Sequence, residues 1–238
     1  MRKILIYKDL ENYDYQTAEV WAENLATAFS YQKEYCHCGQ DYSNLVVSNS
    51  PLLEGSGEVQ SLEEKDPALL IFELTKNADI QKYLNICRDL RVPYLFLRPN
   101  AKFDLKQISL PVSFLVEDKE KAPFASAFGR FLKSKILIYA PKDYGSKARQ
   151  NINQMKTLFN SFSLDYEEKQ GKKDSFGIEH EAAQNAENDS CGMVIISASR
   201  EYGLDDIIFG SKEKRILQKT QIPILLINPR ADLYVLCD

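Results

Sequence analysis

Gly210 and Ser211 stand at the start of a segment whose apolar spacing predicts a helix over 211–219. This pair could bind phosphate, because a glycine lets the backbone approach an anion and a helix N-terminus offers free N–H donors. The serine hydroxyl would add one more donor. The same pair could instead close a turn and cap the helix, a role that serine fills on structural grounds alone. We favour the cap and keep phosphate binding as the alternative.

Cys36, His37 and Cys38 form a compact group of metal-binding residue types. The pattern predicts a strand over 34–38, where neighbouring side chains point to opposite faces, so the three cannot ligate one ion together. Packing of the cysteines as small apolar side chains is the better interpretation, and we predict no metal site. His180, between two glutamates in a predicted helix, is interpreted as a surface or packing residue.

Catalytic motifs are missing from a sequence that has only two histidines. There is no Gly-x-Ser-x-Gly motif, no P-loop, and no Gly-x-Gly-x-x-Gly after the first predicted strand. Nucleophilic catalysis and dinucleotide-dependent oxidation are therefore disfavoured, and we predict that the protein is not an enzyme.

Charge and hydropathy argue against further classes of protein. The formal net charge of −4 gives no global attraction to nucleic acid. The charge runs 117–121 and 212–215 mix both signs, which indicates solvated helix faces. No apolar run approaches the roughly 18 residues that would predict a membrane span, and the N-terminus lacks the features of a signal peptide. Five cysteines without a disulfide-type spacing favour a reducing, cytoplasmic location.

Short β-rich runs alternate with helical patterns, an order that predicts an α/β fold with a mainly parallel sheet. The predicted strands are 4–7, 34–38, 45–47, 68–72, 94–97, 107–112, 135–139, 164–169, 192–197 and 224–227. The predicted helices are 14–29, 80–90, 117–132, 146–162, 178–187 and 211–219. Segment 40–65 is otherwise unassigned.

The chain divides into two similar lobes, each predicted to be doubly wound with about five strands. Residues 1–100 form the first lobe, 101–106 a linker, and 107–238 the second lobe with an apolar tail at 231–238. Segments 91–99 and 221–229 align, each with one proline just before its last strand and another just after it. Segments 3–7 and 135–139 are identical, but we interpret 135–139 as the second strand of its lobe, since equivalence to 3–7 would leave 107–132 outside both lobes.

The second lobe resembles the universal stress protein family, in particular its tandem bacterial form. Gly210-Ser211, the helix through Ile216-Leu217, and Gln221 to Ile227 with its proline are similar to the family's ending of Gly-Ser/Thr, helix, proline and last strand. Segment 181–197 is similar to the family's alanine-rich helix and fourth strand. The resemblance covers 106–230 and is weaker over 1–99. It implies two lobes of the adenine-nucleotide α-hydrolase type.

The resemblance also implies where a nucleotide would bind. Members that bind ATP have an Asp after the first strand, and Gly-x-x-Gly, nine residues, then Gly-Ser/Thr around the phosphates. The second lobe has Ser113 at the Asp position and Ser197 and Arg200 at the first two glycine positions, with Gly203 out of register.

The first lobe keeps Asp9 at the Asp position but has no Gly-Ser before its last helix. Asp9 is better interpreted as a strand-end cap than as a ribose ligand. We therefore expect a degenerate site and no certain cofactor, with a non-catalytic, regulatory stress-response role. The alternative is binding or slow hydrolysis of ATP, or binding of AMP, in which Gly210, Ser211 and Arg200 hold the phosphates.

Partners are predicted to be proteins rather than nucleic acid or membrane. The resemblance implies a homodimer through the last strand, and the apolar tail 231–238 could pair with a second chain. Packing of the tail within the chain is the preferred interpretation, because two lobes can satisfy such an interface internally.

Overall fold

A computed structural model describes residues 2–9, 13–37, 67–76, 78–89, 92–199 and 211–228. The described strands, in chain order, are β1 Lys3–Lys8, β2 Gln32–His37, β3 Pro67–Glu73, β4 Tyr94–Leu97, β5 Gln107–Pro111, β6 Lys135–Ala140, β7 Tyr166–Gln170, β8 Met193–Ser197 and β9 Ile224–Ile227. The described helices are α1 Gln16–Phe29, α2 Ile80–Asp89, α3 Lys121–Phe131, α4 Lys147–Ser161, α5 Ile178–Asn185 and α6 Lys212–Lys219. A short 3₁₀ turn, Val116–Glu120, precedes α3.

The described strands form one nine-stranded sheet in the order β2-β1-β3-β4-β9-β8-β5-β6-β7. All neighbours are parallel except β4 and β9, which pair antiparallel with Leu95 opposite Leu225. The two predicted lobes are therefore the two halves of a single sheet, joined through their last strands. The fold class is α/β, with a mainly parallel sheet flanked by helices.

The pairing registers relate the halves residue by residue. Leu5 pairs with Leu70 in the first half, and Ser109 pairs with Val194 in the second. Counting along each strand from these pairs makes Asp9 equivalent to Ser113, the equivalence that the sequence predicted. The strand β6 lies between β5 and β7, which confirms 135–139 as the second strand of its half.

Helices cover both faces of the sheet because the strands present apolar side chains on each side. One core packs α1, α3 and α4 against the sheet around Trp21, and the other packs α2, α5 and α6 around residues such as Phe72. Trp21 is fully buried in the first core. Both cores run through both halves, so the halves bury apolar surface together.

Two reciprocal hydrogen bonds cross the junction between the halves. The Arg98 guanidinium donates to the carbonyl of Leu217 in α6, and the side-chain amide of Asn228 donates to the carbonyl of Cys87 in α2 at 3.0 Å. Arg98 and Asn228 occupy equivalent positions after β4 and β9. Each half thus provides a donor for the last helix of the other.

The segment 101–106, predicted as a linker, is packed against both halves. The Trp21 indole donates to the Ala101 carbonyl at 2.9 Å, and Leu105 is buried. A Cβ at Gly192 would lie 1.6 Å from the carbonyl oxygen of Asp104, so only glycine allows this close approach. This segment therefore holds the halves together instead of separating them.

The last strand has no free edge, since β9 is flanked by β4 and β8 of the same chain. The homodimer through that strand stays a prediction, and it would require one of these neighbours to be displaced. The tail 231–238 and the predicted strand 45–47 lie outside the described residues. Among the described helices, none is both long and apolar enough to cross a membrane.

Candidate functional site

Each half contains a point where the chain connections leave neighbouring strands in opposite directions. In the second half this point lies between β5 and β8, and in the first between β1 and β3. Ligands of open α/β sheets bind outside the carboxyl ends of the strands at such a point. The residues that follow these four strands are therefore the candidate site residues.

Carboxylates of the chain occupy the strand-end donors of the second half. The backbone N–H of Ser113 donates to Asp118, and that of Ser197 donates to Glu179 at 2.9 Å. The Ser197 hydroxyl donates to the other oxygen of Asp118 at 2.9 Å. Asp118 therefore bridges the ends of β5 and β8. Ser113 and Ser197, which stand at these ends, are two predicted site residues that the fold brings together.

Two lysines neutralise these carboxylates. The Lys121 ammonium lies 3.1 Å from both Asp118 and Glu179 and donates to the carbonyl of Pro111 at 2.6 Å. The Lys212 ammonium lies 2.6 Å from Glu179 and donates to the carbonyl of Ser197 at 2.9 Å. Each lysine thus joins a strand end to the carboxylates.

The N-terminus of α6 is satisfied by side chains of the chain itself. Ser211 is the N-cap, and its hydroxyl oxygen accepts from the Lys214 N–H at 3.2 Å. Glu213, in the first turn, accepts from the backbone N–H of Ser199, which follows β8. A carboxylate at this position is favourable because the helix dipole is positive there. The second oxygen of Glu213 has no hydrogen-bond partner among the described residues.

We name this group of Asp118, Lys121, Glu179, Lys212 and Glu213 the ion cluster. Lys121 has 0% exposed surface, and only Lys212 keeps part of its side chain in solvent. Burial alone would raise the pKa of Glu179, but the charges of Lys212 and Lys121 outweigh it and lower that pKa to about 2. The same carboxylate helps to raise the pKa of Lys212 against the effect of burial. The opposite charges therefore favour the charged forms of Glu179 and Lys212.

The prediction that runs 117–121 and 212–215 are solvated helix faces is wrong for three of their residues. Asp118, Lys121 and Glu213 are at most 1% exposed. They can be buried because each finds an opposite charge or a backbone donor at the strand ends. The spacing of Asp118 and Lys121, three residues apart, was the one local signal that could have indicated a pair.

The first half holds its strand-end carboxylates with neutral donors. Asp9 accepts from the hydroxyls of Tyr15, at 2.7 Å, and Tyr83, and its own N–H donates to Tyr15 at 2.9 Å. Glu73, at the end of β3, accepts from the Tyr13 hydroxyl at 3.2 Å and from the Ala18 N–H at 2.9 Å. Glu73 thereby takes a free donor at the start of α1.

Two tyrosine hydroxyls of this half, those of Tyr83 and Tyr13, have a raised pKa and so remain donors. Burial and the hydrogen bond to Asp9 raise the pKa of Tyr83 well above its ordinary value. Burial and the charge of Glu73 likewise raise the pKa of Tyr13. Both shifts keep the proton available for the carboxylate that each tyrosine contacts.

The predicted site residues therefore fall into three groups. Ser113 and Ser197 meet through Asp118, while Ser211 lies next to Lys212 of the ion cluster. Asp9 lies in the other half of the sheet. Arg200, Gly203 and Gly210 lie outside the described residues.

The structure describes only part of the Cys36, His37 and Cys38 group. Cys36 is buried, and its thiol donates to the Ile6 carbonyl at 3.4 Å. Cys38 lies outside the described residues. The described part of the chain contains no cluster of three His, Cys, Asp or Glu residues placed to hold a metal ion.

No family model matches this sequence, and no curated protein matches it. Solved structures do match its fold. A universal stress protein from Archaeoglobus fulgidus superposes with a TM-score of 0.62 at 12% identity, covering 98% of this chain and 88% of the other. A Pseudomonas aeruginosa protein assigned to the universal stress proteins gives 0.56 at 10% identity, covering 96% and 93%.

A functionally unknown protein from Pseudomonas aeruginosa gives a TM-score of 0.53 at 10% identity, covering 96% of this chain and 92% of the other. At these identities the similarity concerns the fold. The chain thus has the mainly parallel, helix-flanked α/β fold seen in universal stress proteins, and its structural neighbours include members of that family.

Proposed function

We propose that this chain is a tandem universal stress protein with a degenerate nucleotide site, acting as a non-catalytic regulatory protein of the cytoplasm through contacts with other proteins. The observation that carries the proposal is the hydrogen bonding of the strand-end N–H groups of Ser113 and Ser197. Both donate to internal carboxylates at the point where a ligand of this fold would bind.

Electrostatics supports the same conclusion. The ion cluster contains three carboxylates and two ammonium groups, so it carries one excess negative charge. A triphosphate placed at the ends of β5 and β8 would displace Asp118 or Glu179, or lie beside them. Displacement would leave Lys121 buried without its partners, and coexistence would set like charges together at low dielectric.

The same contacts argue against catalysis by these groups. Asp118 and Glu179 each accept two or more hydrogen bonds, and both contact Lys121. The low pKa of Glu179 makes it a weak base near neutral pH. A general base needs a pKa near the operating pH, and the pKa of Glu179 lies well below neutral.

Release of bound nucleotide from the purified protein tests the proposal. Freshly purified protein is denatured, the extract is analysed by chromatography for adenine nucleotides, and a second sample is titrated with Mg-ATP and with AMP in a calorimeter. We expect an empty protein and no heat of binding. Stoichiometric nucleotide, or micromolar binding abolished by Ser211→Ala with Gly210→Val, would establish the alternative, in which Gly210, Ser211 and Arg200 hold the phosphates.

A further inference from the structure

A cationic groove runs along α5, away from the ends of β5 and β8. It consists of two adjoining surface hollows that share His180 and Gln184. One hollow extends past the N-terminus of α5 to Lys142, Lys172 and Lys173. The other extends along α5 to α6 and the segment before β9. We call the whole feature the α5 groove.

Charge in the α5 groove differs in sign from that of the whole chain. Four exposed lysines line it, namely Lys142, Lys172, Lys173 and Lys219, and Arg215 is close enough to act on His180. Three acids share this lining, namely Asp174, Glu181 and Glu187. Among the described lining residues the lysines outnumber the acids four to three, and Arg215 adds a positive charge nearby, in a protein whose formal net charge is −4.

Two of the three acids accept hydrogen bonds from backbone N–H groups. Glu181 accepts from the N–H groups of Lys172 and Lys173 at 2.8–3.0 Å, and Asp174 accepts from the N–H of Gly177 at 3.1 Å. These bonds fix the acids beside the turn before α5. The lysine ammonium groups of the same turn remain exposed to solvent.

The pKa of His180, in the middle of the groove, responds to these charges. Partial burial lowers its pKa, and the charges of Lys219, Arg215 and Lys173 lower it further. These three cations come from both ends of the groove. An anionic group bound beside the imidazole would offset them.

The shape and the apolar borders indicate the kind of partner. The groove follows α5, whose eight residues span about 12 Å at a helical rise of 1.5 Å per residue, which about four residues of extended chain would span. Phe176, 80% exposed, borders one end, and the half-buried Ile222 borders the other. A single phosphate would reach only one group of cations, whereas an extended chain contacts both groups and the apolar borders.

We propose that the α5 groove docks an acidic, extended polypeptide segment of a partner protein, with its carboxylates between the two groups of cations and an apolar side chain against Phe176. Charge complementarity and the spread of the cations carry this proposal. It is independent of the candidate nucleotide site, which lies at the ends of β5 and β8.

A peptide titration tests this docking. The probe is a fluorescent 12-residue peptide of Glu and Asp with one Leu, followed by anisotropy at low and high salt. We expect binding that weakens with salt and becomes at least tenfold weaker in Lys173→Glu/Lys219→Glu. The matched control, Lys106→Glu, reverses an exposed lysine elsewhere and should change the affinity less than twofold.

The His180 ring provides a second measurement, because His37→Gln leaves it as the only histidine. We expect the peptide to shift its NMR signals and raise its pKa. An equal loss of binding in the control, no binding by the unmodified groove, or the same shift with inorganic phosphate alone would each overturn the proposal. The last result would assign the groove to a small anion.

Discussion

The two halves of the sheet place carboxylates at equivalent points but hold them with different partners. In the second half, Asp118 and Glu179 come from helical segments and are neutralised by buried lysines. In the first half, Asp9 and Glu73 belong to the strand ends themselves and are held by tyrosine hydroxyls and a helix N–H. The same backbone geometry therefore supports one site built on ion pairs and one built on neutral hydrogen bonds.

This difference shows how side chains of the protein itself can bind the backbone donors at an edge of the sheet where ligands bind. Strand-end and helix-start N–H groups need acceptors when they are buried, whether those come from a ligand or from the chain. Carboxylates supply them at the ends of β5 and β8 and at the start of α1, and the Tyr15 hydroxyl supplies one after β1. The ion cluster stabilises only if every charge keeps its partner, whereas each tyrosine bond contributes separately, and the following predictions test that contrast.

The largest effect is expected on removing the cation at the centre of the ion cluster. Lys121→Met leaves Asp118 with no cation and Glu179 with only Lys212, and we expect a loss of about 3–5 kcal/mol in the free energy of unfolding. Urea denaturation followed by circular dichroism measures it. Lys147→Met, at an exposed lysine, should change stability by less than about 0.5 kcal/mol.

A double variant distinguishes charge from packing at the same place. Adding Glu179→Gln to Lys121→Met removes one of the carboxylates left with too few cations, so it should recover part of the lost stability. A double variant as unstable as the sum of the two single variants would mean that the lysine acts through packing alone.

The second prediction concerns the pH dependence of stability, which we expect from the ion cluster and not from the tyrosine bonds. The folded pKa of Glu179, about 2, lies below its ordinary value of 4.5, so its contribution is present above pH 4.5 and lost as the pH falls towards 2. The stability difference between the parent protein and Glu179→Gln should therefore shrink over that interval. Urea titrations at a series of pH values measure it, and a difference that does not vary with pH would refute the ion-pair description.

A smaller effect is expected in the first half. Tyr15→Phe removes the hydroxyl that donates to Asp9 and accepts from its N–H, so we expect a loss of about 1–3 kcal/mol with little dependence on salt. Urea denaturation at two salt concentrations measures it. Tyr166→Phe removes an exposed tyrosine bond to Asn160 and should cost less than about 0.5 kcal/mol. Equal losses in both variants would contradict a special role for Tyr15.

The smallest effect concerns Ser211 and distinguishes a cap from a phosphate ligand. Ser211→Ala should cost about 1 kcal/mol, while Ser211→Asp, which keeps an N-cap acceptor, should retain most of the stability. Thermal unfolding of both variants measures this. Unchanged stability in Ser211→Ala would mean that the hydroxyl does not serve the helix.

The fold was predictable because it depends on local patterns. Buried parallel strands are short apolar runs, and their alternation with amphipathic helices indicates the α/β class. The proline pairs around β4 and β9 also indicated equivalent strands. The merging of both halves into one sheet was not predicted, since the antiparallel pairing of Leu95 with Leu225 joins residues far apart in sequence.

The site was predictable only where it follows strand ends. Asp9, Ser113 and Ser197 could be placed through the resemblance to the family's nucleotide signature. The ion cluster could not, because the burial of Lys121 depends on Glu179, 58 residues away, and Lys212 has no local sign of its partner. Mixed-charge runs usually indicate solvent-exposed faces, and here tertiary pairing overrides that rule.

The central claim is that internal carboxylates already occupy the strand-end donors, and the amide NMR signals of Ser113 and Ser197 test it most directly. Both signals are followed while Mg-ATP is added to the isotope-labelled protein. We expect no saturable shift of either amide, together with a clear shift of the Ser197 amide in Glu179→Gln without nucleotide. A saturable, nucleotide-dependent shift at both amides of the parent protein would contradict it.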